Sequence, residues 1–362
     1  MVIIKKSFFY NQIFIYLLFV NFTYSQVSLD GRNQNAIKLI ENKLIKENIP
    51  GLSVTISIDD SIVFSKGFGY ANIERKDEID PSKTKFRIAS VTKTMTSSVI
   101  MKLSEEKMLN TKKSIYYYLD SLPKKKYNFT INEVGGHLAG LIRVPSEEKY
   151  DCENGYNRND FYRVFQNDSL LFKPSTNFSY SNYGFKLLGV LIEKITRNSI
   201  IENHKKYIIN KLNLINTIPD TGVYDEFTSS FYIFKNNAFS SAPCLDCNFK
   251  YSQGCYLSTS EDLNKLGNAY LFPNRILSKK NLLKMVKSQN FINGNKTNYG
   301  FGFTSITDSK GNYFYGHNGG YTGSSSILRV YPKKKMVISV LVNTTMINID
   351  NLASEIASIY LN

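Results

Sequence analysis

Two stretches at opposite ends of the chain carry the alternating, β-branched pattern of strands, and they limit the fold more than any other feature. Near the start, "LSVTISIDDSIVFSKGFGY" reads as two strands around a turn at Asp59-Asp60. Near the end, "NYGFGFTSI", "SSILRVYP" and "KMVISVLVN" read as three more. Helical spacing of Ile37, Ile40, Leu44 and Ile45, stopped by Pro50-Gly51, predicts a helix over 34–48, and "NIDNLASEIASIYL" predicts a closing amphipathic helix. The stretch between, about 105–240, is rich in loops, charges and helical patches. The expected class is therefore α+β, with an antiparallel sheet formed by both chain ends, flanked by helices, and an inserted, mainly helical lobe.

The first residues bound where this fold works. Lys5 and Lys6, an apolar run from Ile13 to Val20 and small or polar residues near Ser25 form the pattern of a signal peptide over 1–25. That apolar run is short of the ~20 residues a spanning helix needs, so no stable membrane anchor is expected. The expected location is secreted or periplasmic, with residues 26–362 forming one unit of two lobes. The formal charge of +15 comes from lysines spread along the chain. Their two short clusters, Lys124–Lys126 and Lys333–Lys335, follow prolines, so the basic stripe of a nucleic-acid binder is missing. Four cysteines in an exported chain permit bridging. The expectation is Cys152 joined to Cys244 or Cys247, with Cys255 left as a buried thiol. "CLDC" lacks the further ligands of a zinc site, so no metal and no cofactor are expected.

In "ASVTKTMTSSVIMKL", Val91, Met95, Val99 and Leu103 recur every fourth residue and predict an amphipathic helix with its apolar stripe on a core. Ser90 then lies at the first turn, where free backbone N–H groups favour developing negative charge. Lys93, three residues on, shares its face. A serine hydroxyl needs a base, and a lysine whose proton affinity is lowered by burial can be one. Alone, the pair reads more readily as a helix cap and a surface lysine. Two further stretches weigh against that: Tyr180-Ser181-Asn182 before a helix carrying Leu187, Leu188, Leu191 and Ile195, and His317-Asn318-Gly319-Gly320 leading into a strand. The first offers a phenol for proton relay and an amide for substrate, the second backbone N–H groups open to close approach.

These elements, with "PGLSVTISI", "SKGFGYAN", "GGHLAGL", "GCYLSTSEDLNKLGNAY" and "YGFGF", resemble the family of class C β-lactamases, serine D,D-peptidases of the penicillin-binding type, and related esterases and D-aminopeptidases. The "HLAGL" turn is most similar to the mitochondrial lactamase-like branch. The resemblance implies a β-lactamase/D,D-peptidase-like fold, Ser90 as acylated nucleophile, Lys93 as its base and Tyr180 as proton shuttle. It further implies Asn182, His317 and Gly319 as substrate-binding residues and the N–H groups of Ser90 and Gly320 as oxyanion hole. His137, in the turn beside the site, is expected to be structural, and His204, in a charged run, to face solvent. The implied partner is a small-molecule ester, a peptide or a cell-wall-derived substrate. A non-catalytic, penicillin-binding-like receptor or cell-envelope binding module is the alternative. Many lactamases carry lysine where this chain has His317. The histidine removes a fixed cation, so the pocket is expected to favour substrates without a terminal carboxylate, the more so at neutral than at acid pH.

Overall fold

The computed structural model describes residues 29–144, 157–243, 245, 247–345 and 349–361. Its centre is a seven-stranded antiparallel sheet. We number its strands β1 (Gly51–Ile58), β2 (Ser61–Asn72), β3 (Asp77–Glu78), β4 (Thr304–Thr307), β5 (Tyr313–Tyr321), β6 (Ser324–Tyr331) and β7 (Met336–Val342). They lie in the order β3-β2-β1-β7-β6-β5-β4. The seam between chain ends is β1 against β7, with Leu52 opposite Val342 and Ile58 opposite Met336. Both chain ends thus build one sheet, as the patterning predicts. "NYGFGFTSI" supplies less strand than its pattern suggests, only Thr304–Thr307.

One face of the sheet is covered by helix α1, over 29–46, and the last helix, α5 (Ile349–Leu361). Ala36 and Ile40 from α1 and Leu352, Ala353 and Ile356 from α5 pack there on Leu52, Val54, Ile56, Ile338 and Val340. The other face carries α2 (Thr92–Glu105) and α4 (Ser260–Leu271), and beyond them the helical lobe, which includes α3 (Asn182–Thr196). Shorter helices at Ile131–Gly135, Arg158–Asn167 and Ile200–His204 also belong to this middle part, but Tyr232–Lys235 and Ala238–Ser241 form a hairpin within the stretch expected to be helical.

Three local expectations are corrected. Helix α2 is not a stripe on a core: Lys93, Thr94, Thr96, Ser97 and Ser98 are as buried as Met95 and Val99, because the helix runs between sheet and lobe. His204 does not face solvent. It turns inward, its Nε2 3.0 Å from Thr96 Oγ1 and its Nδ1 3.0 Å from Tyr256 Oη. Cys255 is no free thiol: it is bridged to Cys247, their Cα atoms 5.5 Å apart. They are eight positions apart in sequence, and the turns between fold the two together. Cys152 and Cys244 lie outside the described residues, as does the leader over 1–25.

Candidate active site

Ser90 lies in a short 3-10 turn, Ala89–Val91, that runs directly into α2. Ala89 before it is left-handed (φ 44°), a conformation that disfavours a side chain and places Ser90 at the tip of the turn. The turn is pinned from below: the Ile88 carbonyl accepts from Ser326 Oγ at 2.7 Å. Gly319 of β5 allows this approach, since a Cβ there would come within 2.3 Å of the Ile88 carbonyl oxygen and 2.2 Å of Ser326 Oγ. Gly319 therefore packs against the Ser90 turn and leaves no room for a side chain. Gly320, one step along, is exposed with open space where a side chain would stand.

The three separated motifs meet at Lys93. Its Nζ lies 3.0 Å from Ser90 Oγ, 2.9 Å from Asn182 Oδ1 and 2.9 Å from the Gln253 carbonyl oxygen. The side chain is fully buried between the rings of Tyr180 and Phe185, 5.1 and 5.4 Å from their centroids. Burial, and then the Arg143 charge, lower its proton affinity well below that of an ordinary lysine. A neutral amine has two N–H groups and one lone pair. Two of its neighbours, the Asn182 and Gln253 carbonyl oxygens, can only accept, so they take both N–H groups and leave the lone pair for the Ser90 hydroxyl.

Tyr180 and Asn182 arrive through one local device. Ser181 between them caps α3, its Oγ accepting from Gly184 N at 2.8 Å, while its N–H donates to His137 Nδ1 at 3.0 Å. With the cap turned to the helix, its two neighbours are left for the site. The Tyr180 phenol bonds Ser90, and burial raises its pKa, so it stays protonated. Lys93, not a phenolate, is the available base.

His317 is buried and joins a chain whose tautomers are fixed by its ends. Ser181 N–H donates to His137 Nδ1, which leaves the His137 Nε2–H to face Tyr299 Oη at 3.3 Å. Tyr299 Oη then donates to His317 Nε2 at 2.8 Å, and His317 Nδ1–H donates to the Asn318 carbonyl at 2.5 Å. Burial and then the nearby Lys93 charge bring the His317 pKa down to about 3, and burial lowers His137 too. Acidification to pH 5 therefore does not charge His317, which corrects the expected gain of a cation at acid pH. His137 is structural, as its place in the turn suggests. Tyr299, Arg143 and the Gln253 carbonyl are parts of the site that sequence reasoning missed. Only Tyr299 left a signal, the "YGFGF" stretch. Among the described residues no cluster of histidine, cysteine and carboxylate side chains could hold a metal.

The Beta-lactamase family profile matches residues 36–348. The mitochondrial serine beta-lactamase-like protein of Homo sapiens is 24% identical, over 86% of this chain and 77% of its own length. Among solved structures, the octameric penicillin-binding protein homologue of Pyrococcus abyssi superposes with a TM-score of 0.80 at 24% identity, covering 91% of this chain and 77% of that one. The D-amino acid amidase of Ochrobactrum anthropi SV3 gives the same TM-score, 0.80, at 18% identity, with 92% and 99% covered.

Proposed function

The chain belongs to the Beta-lactamase family, and on that premise we propose that it is an exported serine hydrolase working through an acyl-Ser90 intermediate on esters or D-configured peptides and amides. One observation carries the reading: Ser90 Oγ lies 3.0 Å from the nitrogen of a buried lysine whose two other partners are obligate acceptors. In the proposed cycle Lys93 takes the Ser90 proton as Oγ attacks the substrate carbonyl carbon. The resulting oxyanion is held by the N–H groups of Ser90 and Gly320, where losing one donor typically costs ~3–4 kcal/mol. Tyr180 gives its proton to the departing oxygen or nitrogen and is reprotonated through Lys93. Water then enters, loses a proton to the same pair, and releases the acid with Ser90 Oγ restored. The D-amino acid amidase among the structural neighbours supports the D-amide class as a substrate to try first.

Export rests on the residue pattern over 1–25. Among the described residues no helix is long and apolar enough to cross a membrane. Recovery of the unprocessed chain, starting at Met1, from the cytosol of the native cells would sink it. The chemistry is tested by intact-mass spectrometry with a fluorophosphonate probe. Wild type should gain one adduct and Ser90→Ala none; equal labelling of the two removes Ser90 as nucleophile.

A further inference from the structure

The loss of a cation at position 317 raises the question of what faces a substrate carboxylate. The third-motif wall offers nothing. Both ring nitrogens of His317 are occupied, by Tyr299 and by the Asn318 carbonyl, and the ring is neutral. The Asn318 amide points to the opposite side of the sheet, donating to both oxygens of Asp350 at 2.8 Å. Lys93 is enclosed and committed to three partners. Arg87, close in sequence to the nucleophile, is buried and paired with Asp220 at 3.0 Å.

The opposite wall differs. Arg143 has its backbone tied to the start of α3, its carbonyl accepting from Asn182 N at 3.0 Å and from Tyr183 N at 3.3 Å. Its guanidinium stands 5.6 Å from the Tyr180 ring centroid, and the residue is exposed. No carboxylate among the described residues pairs with it. Its charge is felt at both Lys93 and Tyr180, so it borders the reacting centre itself.

We infer that Arg143 is the anchor for a substrate carboxylate, and that the preferred anionic substrates carry this carboxylate on the leaving group, beside Tyr180. This rests on the reading of Ser90 as nucleophile and Tyr180 as proton donor to the leaving group. A planar guanidinium can hold a carboxylate by two parallel N–H bonds, and its exposure lets the substrate reach it without displacing a partner among the described residues. The pocket therefore keeps an anion anchor, moved from the strand wall to the helical-lobe wall, and the expected preference for substrates without a carboxylate is reversed for leaving groups of suitable length.

The test compares 3-acetoxybenzoate with the neutral 3-acetoxybenzamide, two esters whose leaving groups differ in the carboxylate. Wild type should favour the benzoate in kcat/KM. Arg143→Gln should reduce the benzoate-to-benzamide ratio about three- to tenfold, the range for an exposed but well-oriented ion pair. Arg143→Lys should retain part of it, and salt should erode the wild-type ratio. The ratio is the readout because any effect of Arg143 on Lys93 strikes both esters alike. An unchanged ratio in Arg143→Gln overturns the inference. If neither ester is hydrolysed faster by wild type than by Ser90→Ala, the hydrolase reading fails on these esters. Arg143 is then decided by calorimetry of 3-hydroxybenzoate and 3-hydroxybenzamide on Ser90→Ala with and without Arg143→Gln. Preference for the benzoate that disappears with Arg143 supports the anchor; no preference, or one that persists, overturns it.

Discussion

The two faces of the central sheet bury similar numbers of strand residues in very different company. On the α1/α5 face, Leu52, Val54 and Ile56 alternate in register with Met336, Ile338, Val340 and Val342, and meet aliphatic side chains from both terminal helices. Arg329, bonded to Ser354 and Asp350, is the main polar intrusion there. On the α4 face, the intervening residues Ser53, Thr55 and Ser57 are just as buried. They meet Ser260, Asn264 and Asn268, spaced by fours along α4: Ser53 Oγ and Thr55 Oγ1 each lie 2.8 Å from Ser260 Oγ, and Ser57 Oγ donates to Asn268 Oδ1 at 3.1 Å. The first face supplies stability by burial of apolar area. The second fixes one register by matched donors and acceptors, and it is on this side of the sheet that α2 delivers Ser90 and Lys93. The difference teaches that the polar side is where position matters more than adhesion.

The largest effect should come from the site end of the polar side. Lys93→Arg puts a fixed cation where the neutral amine stood and cannot yield a lone pair near neutral pH, so acylation of Ser90 should fall on the order of a thousandfold. Stopped-flow or timed mass spectrometry of probe labelling reads it. Near-wild-type acylation would place the base elsewhere and leave the neutral-amine argument without support.

The apolar side should respond in the opposite currency. Leu352 of α5 is fully buried, and Leu352→Ala should destabilise the fold by about 3 kcal/mol in urea unfolding. Its acylation rate per folded molecule should stay within twofold of wild type. A loss of acylation larger than the loss of folded protein would show that the two faces are coupled and break the contrast.

The same contrast explains what could be read from the residues alone. Strand alternation at both chain ends gave away the sheet because one set of positions is aliphatic and meets aliphatic helices. The seam of Ser53, Thr55 and Ser57 was illegible: buried serines and threonines have the pattern of a solvated face, and only the matching stripe on α4 shows otherwise. Helix α2 misled for the same reason, its Thr96 and Ser97 being internal. In the site, Ser90, Lys93, Tyr180 and Asn182 were legible as the residue types that the proposed chemistry calls for, and the structure brings them together. The Gln253 carbonyl was not, since a backbone acceptor leaves no mark on residue type. Arg143 stands outside every motif, and His204 was hidden by the lysines that follow it, which point outward while the imidazole turns in.

The smallest effect concerns those imidazoles, and its sign follows from where the proton goes. His137, His204 and His317 are all held neutral by burial, with pKa values lowered, to about 3 for His204 and His317. In the unfolded chain each returns to an ordinary value near ~6.5. Between roughly pH 6.5 and 3 the unfolded state thus binds protons that the native state refuses, so stability falls as pH drops through this window and is unaffected above it. Each histidine should contribute about 1 kcal/mol per pH unit below ~6.5. His204 isolates the effect because its bonded partners, Thr96 and Tyr256, are uncharged and it lies outside the catalytic group. His204→Asn should lose stability at pH 7.5 yet show a shallower decline between pH 6.5 and 5.5, a range chosen to lie above ordinary carboxylate titration. Urea midpoints at the three pH values decide it. A variant whose decline is as steep as that of wild type would mean that His204 accepts a proton in the folded protein, and that the polar side of the sheet admits charge where its geometry says it does not.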